Sequence, residues 1–321
     1  MAALVRALLF SVLFAVCSAA GAQYPAKPVR IVAPFAPGGL ADVLARALGE
    51  RLARSTGQPF IVENRPGAGG NVGADSVARA EPDGYTLLMS SAGILTINEF
   101  LYAQMPFDPA TALQPVSVVA EMPMLLVVRT QLPAQNVAQF IEAAKREPGG
   151  LFFGSPGNGT TGHLGMELFM QATGIKLQHV PYKSAAEAVN AAMAGQTHAM
   201  FDNPPTVMAQ IKAGTLRALG VAAKERLAQL PDVPTIAEGG VKDFEASSWF
   251  GLVAPGKTPR PVVNRLAEET ARALKDPEMQ ARFAQSGARL VGNTPDQFAA
   301  MVTTERARWE KIIRAAGIKA Q

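Results

Sequence analysis

Cysteine is all but missing from this chain: Cys17 is the only one in 321 residues. That excludes a disulfide framework, so a folded form must be held by its core alone. Histidine is scarce too, with His163, His179 and His198 the full set. None stands at metal-ligand spacing with Asp or Glu, so no metal site is expected. Aromatic residues make up 7% of the chain, and the 30 Lys and Arg are scattered against 26 acids. Without a basic-aromatic stripe, nucleic acid is not an expected partner. Long apolar runs are absent after residue 22, which excludes a membrane span there.

The first 22 residues read as a cleavable secretory signal. Arg6 and the amino terminus carry positive charge, Ala7 to Cys17 is apolar, and Ala20-Gly21-Ala22 supplies small residues. Val16 is not the small residue expected before a lipidated Cys17, so ordinary cleavage after Ala22, with no stable membrane anchor, is expected. Removing those 22 of 321 residues leaves 299, enough for two domains. Loss of Arg6 lowers the formal net charge from +4 to +3.

Strand and helix patterns alternate along the rest. Val29 to Ala33 is β-branched and reads as a strand. The breaker Pro34-Phe35-Ala36-Pro37-Gly38-Gly39 follows. Leu40, Val43, Leu44, Ala47 and Leu48 then recur at helical spacing up to Gly57. Further strands are expected over 60–63, 86–90, 116–120, 125–129, 151–154, 177–180, 197–201, 216–221 and 250–254. Helices are expected after Val72, Asn136, Thr160, Ser184, Thr206, Pro261 and Thr294. Gly67 and Gly69 begin a dinucleotide fingerprint, but its third glycine would fall at Val72, so no nucleotide cofactor is expected.

This alternation predicts α/β architecture with mostly parallel sheets flanked by helices. Ligands of such sheets lie outside the carboxyl ends of the strands. The loops there are 34–39, 64–71, 91–93, 155–162, 181–183 and 202–205, rich in Gly, Pro, Ser and Asn.

The fourth loop carries most of the chemistry. Gly154-Ser155-Pro156-Gly157-Asn158-Gly159-Thr160-Thr161-Gly162-His163 joins a strand to an amphipathic helix. Glycines allow close approach of a ligand, and the free N–H groups of the helix's first turn suit an anion. The Gly-Lys-Ser/Thr ending of a nucleotide loop is missing, so the cradle fits a smaller anion such as a carboxylate. The same pattern fits a plain strand-to-helix turn. Asp42, in the first turn of its helix, caps that helix or helps close a cleft. Ser155 and His163 are eight residues apart and make an exported hydrolase the competing reading, although Phe153 stands where a nucleophile elbow needs glycine. Tyr182 and Lys183 fit an acid and a Schiff-base lysine, or a rim tyrosine and an anion-pairing lysine. Asp202 fits a ligand amine or a cap for the turn before Pro204. An inorganic oxyanion is a third ligand class for the cradle.

Together these loops resemble the Bug-type solute receptors of tripartite tricarboxylate transporters. The motifs are Pro34 to Gly39 with Asp42, Glu63 to Asn71, Pro82-Asp83-Gly84-Tyr85, Gly157-Asn158-Gly159 with His163, Val180 to Lys183, and Trp249-Phe250-Gly251. They run in family order over the whole mature chain. The resemblance implies a type II periplasmic binding protein fold with two crossing strands, a cleft between two domains, and no enzymatic activity. Residues 23–124 with 250–321 would form one domain, and 125–249 the other. A monomeric periplasmic receptor would grip a ligand carboxylate between loops 34–39 and 155–162. Phe35, Ala36, Gly38, Gly39, Ser155, Gly157, Gly159, Thr160, Thr161 and His163 are the implied contacts there. Ser90, Ser91, Tyr182, Lys183 and Asp202 would judge the rest of the ligand. The implied partners are two membrane components or a signalling protein. After Lys183 the family usually has glycine and soon a proline. Here Ser184-Ala185-Ala186-Glu187 follows, adding a hydroxyl and an acid.

Overall fold

The computed structural model describes residues 24–182 and 184–319. The expected signal segment, its cleavage site and Lys183 lie outside the described residues. No helix among those described is long and apolar enough to cross a membrane.

Two sheets organise the chain. The first is built from β1 (Val29–Ala33), β2 (Phe60–Asn64), β3 (Thr86–Ser91), β4 (Leu113–Pro123), β10 (Ser247–Pro255) and β11 (Arg289–Leu290), in the order β11-β4-β10-β3-β1-β2. The second holds β5 (Leu125–Arg129), β6 (Phe152–Ser155), β7 (Gln178–Pro181), β8 (Ala199–Asp202) and β9 (Leu216–Val221), in the order β7-β6-β8-β5-β9. Parallel pairing holds where helices connect successive strands, in β1 with β2 and β3 and in β6 with β7 and β8. The strands that cross between sheets pair antiparallel, as β10 does with β3 and β4, and β5 with β8 and β9. Both sheets are therefore mixed.

Both faces of each sheet are covered. Period-two alternation sends Val29 and Ile31 to one face of β1 and Val32 to the other. The first face meets α1 (Leu40–Thr56) and α9 (Arg260–Leu274) through Leu44, Leu48, Val263 and Leu266. The second meets α2 (Asn71–Ala78) and α11 (Pro295–Ala316) through Ala74, Val77, Trp249 and Phe298. In the other domain Phe153, Phe169 and Phe201 fill one side, with α5 (Val137–Arg146) and α6 (Thr161–Thr173). Val189 and Val207, from α7 (Ala185–Met193) and α8 (Pro204–Lys212), fill the opposite side.

Three short segments meet where the chain passes between sheets. Met124 N–H donates to Ala246 O, Ala222 N–H to Met124 O, and Ala246 N–H to Ala222 O, at 3.0, 2.8 and 3.0 Å. This ring satisfies the backbone at the crossing without side chains.

Some elements differ from the sequence reading. Helix α8 begins at Pro204 behind Asn203 rather than at a Thr206 cap, because Pro204 and Pro205 pre-set the first helical turn. A π-helical turn at Gly93–Ile97 runs into α3 (Asn98–Leu101), and α4 (Pro109–Ala112) and α10 (Pro277–Ala284) complete the helices. Strand β10 starts three residues earlier than expected, which brings Ser247, Ser248 and Trp249 into register with Pro123, Met122 and Glu121.

Candidate functional site

Two helix N-termini, one from each domain, face the same space. On the first side, the turn after β1 is held rigidly. The Asp42 carboxylate accepts from Gly38 N–H at 3.0 Å and from Asn64 Nδ2 at 2.9 Å, and pairs with Arg46 at 2.9 Å. Asn64 Nδ2 also donates to Phe35 O at 3.1 Å. The Arg46 hydrogen bond, with help from Gly38 and Asn64, holds the Asp42 pKa down at about 2. This carboxylate is fully engaged in shaping loop 34–39. The N-cap of α1 is Gly39, which has no side chain to cap the first turn. Its free N–H groups remain available.

On the second side, Thr160 caps α6 through His163 N–H at 3.5 Å and donates its hydroxyl to Gly157 O at 2.8 Å. The neighbouring Thr161 Oγ1 lies 3.0 Å from Ser248 Oγ on β10, so it ties α6 to a strand of the first sheet. Gly159 has φ +73, and a Cβ there would overlap Leu101 of α3. Only glycine meets both demands.

Between these ends lies a cavity of about 360 Å³. It is bordered by Phe35, Gly39, Leu40 and Ala41 from the first turn, Ser91 to Gly93 after β3, and Asn158 to Thr161 before and into α6. Ile97, Leu101, Tyr102, Trp249 and Phe250 add an apolar wall, and Gly69, Asn98, Asn203 and Ser248 complete the rim. No Asp, Glu, Lys, Arg or His borders it among the described residues. An anion entering here meets helix dipoles, amides and hydroxyls rather than a counter-charge.

Five of the six loops singled out in the sequence therefore converge. Of the individual residues, Phe35, Gly39, Ser91, Gly159, Thr160 and Thr161 border the cavity. Ala36, Gly38, Asp42, Ser90, Ser155, Gly157, His163, Tyr182 and Asp202 do not. Gly38 spends its N–H on Asp42, and Ser90 is fully enclosed within β3. Tyr182 packs beside Gly154, and its N–H donates to Ser155 O at 3.0 Å. Asp202 is 4% exposed and accepts from Asn203 N–H, and burial pushes its pKa up to about 6. Lys183 lies outside the described residues.

Ser155 has a different partner from the one its sequence spacing suggests. Its Oγ is 2.6 Å from His179 Nε2, while His163 Nδ1 accepts from Gly159 N–H at 3.0 Å. Ser155 is 0% exposed, so a substrate in the cavity does not reach its hydroxyl.

The sequence reading missed the wall contributed by Ile97, Asn98, Leu101 and Tyr102. Ile94, Ile97 and Leu101 recur at helical spacing, which is the signal that marks this segment. It also left Leu40, Ala41, Gly69, Asn158, Asn203, Ser248, Trp249 and Phe250 out of the site.

Two α/β domains around a polar-ended cleft define a solute-binding protein. Comparison with known proteins agrees. Residues 44–318 match the tripartite tricarboxylate transporter family receptor. Protein BugT of Bordetella pertussis is 38% identical over 297 residues, covering 92% of this chain and 91% of BugT. The Rhodopseudomonas palustris protein Rpa4515, solved with adipate, is 38% identical with a TM-score of 0.81, over 93% of this chain and all of its own. MatC (Rpa3494) of the same organism, solved with bound malate, is 32% identical with a TM-score of 0.76, over 90% of this chain and all of its own. The chain belongs to the tripartite tricarboxylate transporter receptor family, in its Bug-type branch.

Proposed function

We propose that this chain is a periplasmic receptor that captures a small organic carboxylate between the N-termini of α1 and α6. It is exported behind a signal cleaved after Ala22, acts as a monomer, and delivers its ligand to a two-component membrane transporter or a signalling partner. Residues 23–124 with 250–321 act as one gripping domain and 125–249 as the other. One observation carries the ligand class: the N-terminus of α1, which has no side-chain cap, and that of α6, capped by Thr160, converge on a cavity with no charged side chain among the described residues. That arrangement stabilises one carboxylate group without a salt bridge. The adipate and malate found with Rpa4515 and MatC support it.

Phe35, Gly39, Ser91, Gly159, Thr160 and Thr161 carry contact in this reading. Asp42, Ser155 and His163 support the loops from behind, and Tyr182 and Asp202, which do not border the cavity, support the neighbouring loops. The apolar wall of Ile97, Leu101, Trp249 and Phe250 takes the ligand's carbon skeleton.

A thermal-shift panel tests this, using adipate, malate, tricarboxylates, acidic amino acids, aromatic acids, sulfate and phosphate. Saturating ligand should raise the midpoint by roughly 2 °C or more. A rise with one organic acid class supports the receptor. A rise with sulfate or phosphate alone replaces it with an oxyanion receptor. Ester turnover lost in Ser155→Ala would replace it with a hydrolase.

A further inference from the structure

Behind the 155–161 loop lie two imidazoles, neither of which borders the cavity. The His163 and His179 rings stack, 3.7 Å between centroids and 13° apart, with Phe153 4.8 Å from His179. His163, in the first turn of α6, is 4% exposed. Each ring holds the loop at a different glycine. His163 Nδ1 accepts from Gly159 N–H at 3.0 Å, so that nitrogen carries no proton. Its proton sits on Nε2, 3.5 Å from Glu167 Oε1. His179 Nε2 lies 2.6 Å from Ser155 Oγ, which accepts from Gly157 N–H at 3.1 Å.

We infer that His163 and His179 are positioning residues for the loop, and that protonation of His163 Nδ1 releases Gly159 and weakens ligand capture in acid. The inference rests on the reading that this loop receives the ligand. A proton on Nδ1 turns the acceptor into a donor facing another donor, so the bond to Gly159 is lost. The titratable groups facing His163 are Glu167, one turn along α6, and His179 on β7; β6 presents Phe153. Two stacked imidazoles do not both charge. Burial and the neighbouring His163 hold the His179 pKa down at about 3. His179 therefore stays neutral. Glu167 is placed to receive the His163 imidazolium. Because Gly159 borders the cavity and touches Leu101 across it, its release disturbs both the anion cradle and the contact between domains.

The test follows the His163 ring nitrogens and the Gly159 amide by NMR, without ligand, over the roughly pH 5 to 8 window in which an imidazole titrates. Adipate affinity is measured by calorimetry over the same range. His163→Asn keeps an acceptor near Gly159 but does not titrate, and His163→Leu removes the acceptor. In the wild type the Gly159 amide should move with the His163 ring. In His163→Asn it should stay still, with the pH dependence of affinity abolished. His163→Leu should bind about five- to tenfold more weakly than His163→Asn at every pH, the worth of one backbone hydrogen bond. A Gly159 amide that ignores His163 titration overturns the positioning role, even if adipate binds. So does an unchanged pH dependence in His163→Asn. A responsive amide in a protein that binds no carboxylate supports the histidine role and overturns the ligand reading instead.

Discussion

Gly159 and Leu101 occupy each other's space across the cleft: the glycine of one domain is packed so closely that a methyl group there would overlap the leucine of the other. Gly159→Ala therefore adds a clash to a backbone at φ +73. The expected cost is about 1–3 kcal/mol, with weaker ligand capture. Leu101→Ala in the same chain should recover the clash but not the backbone strain. A double-mutant cycle in urea measures this, and purely additive effects would sink the contact.

Asp202 should make the protein less stable as pH rises. Burial pushes its pKa up to about 6, against roughly 4 in an unfolded chain. Between those values the folded chain holds a proton that the unfolded chain releases, so stability is greatest below the window and falls through it. Asp202→Asn removes the buried charge and keeps an acceptor for Asn203 N–H. The variant should be more stable by roughly 2–3 kcal/mol at pH 7, the gap closing below about pH 4. Equal melting temperatures at pH 7 would contradict this.

Asp42 has the opposite sign. Hydrogen bonds from Arg46, Gly38 and Asn64 hold its pKa at about 2. Its contribution is present above roughly pH 4 and is lost as pH falls toward about 2. Asp42→Ala leaves Gly38 N–H without its acceptor and Asn64 Nδ2 with Phe35 O alone, and should cost about 1–2 kcal/mol at neutral pH. Ligand affinity should fall with it, because loop 34–39 loses its anchor. An affinity untouched by Asp42→Ala would separate this loop from the site.

Leu164 is fully enclosed in a cluster with Ile97, Leu101, Trp309, Ile312 and Ile313. That cluster joins α6 of one domain to α3 and α11 of the other. Leu164→Ala should cost about 2–5 kcal/mol. Small-angle scattering of the unliganded protein should show a larger radius as the domains loosen. An unchanged radius would mean that the crossing strands alone set the domain spacing.

Much of the fold is legible in the chain because local patterns and packing agree. Helix α1 follows from its apolar spacing and from Gly57, which ends it at φ +74. The helix expected after Thr294 is present and starts in a capping box, with Thr294 and Gln297 bonded reciprocally. The π turn at 93–97 is not legible as such, because the helical spacing of Ile94, Ile97 and Leu101 does not separate a π turn from an α-helix. Nor is the antiparallel return of β10, which depends on a partner more than a hundred residues away.

Residue types and their placement after strands determine that the loops are rich in Gly, Pro, Ser and Asn and that a helix follows most of them, though not that one follows loop 91–93. Those are local properties of backbone freedom and side-chain chemistry. Only the tertiary structure decides which side chains reach the cavity. It turns Asp42, Ser155 and His163 inward to hold loops, brings Leu101 and Trp249 to the wall, and pairs Ser155 with His179. The direction of a side chain from a loop is set by the neighbours that accept its hydrogen bonds and fill its space, and those neighbours come from distant parts of the sequence.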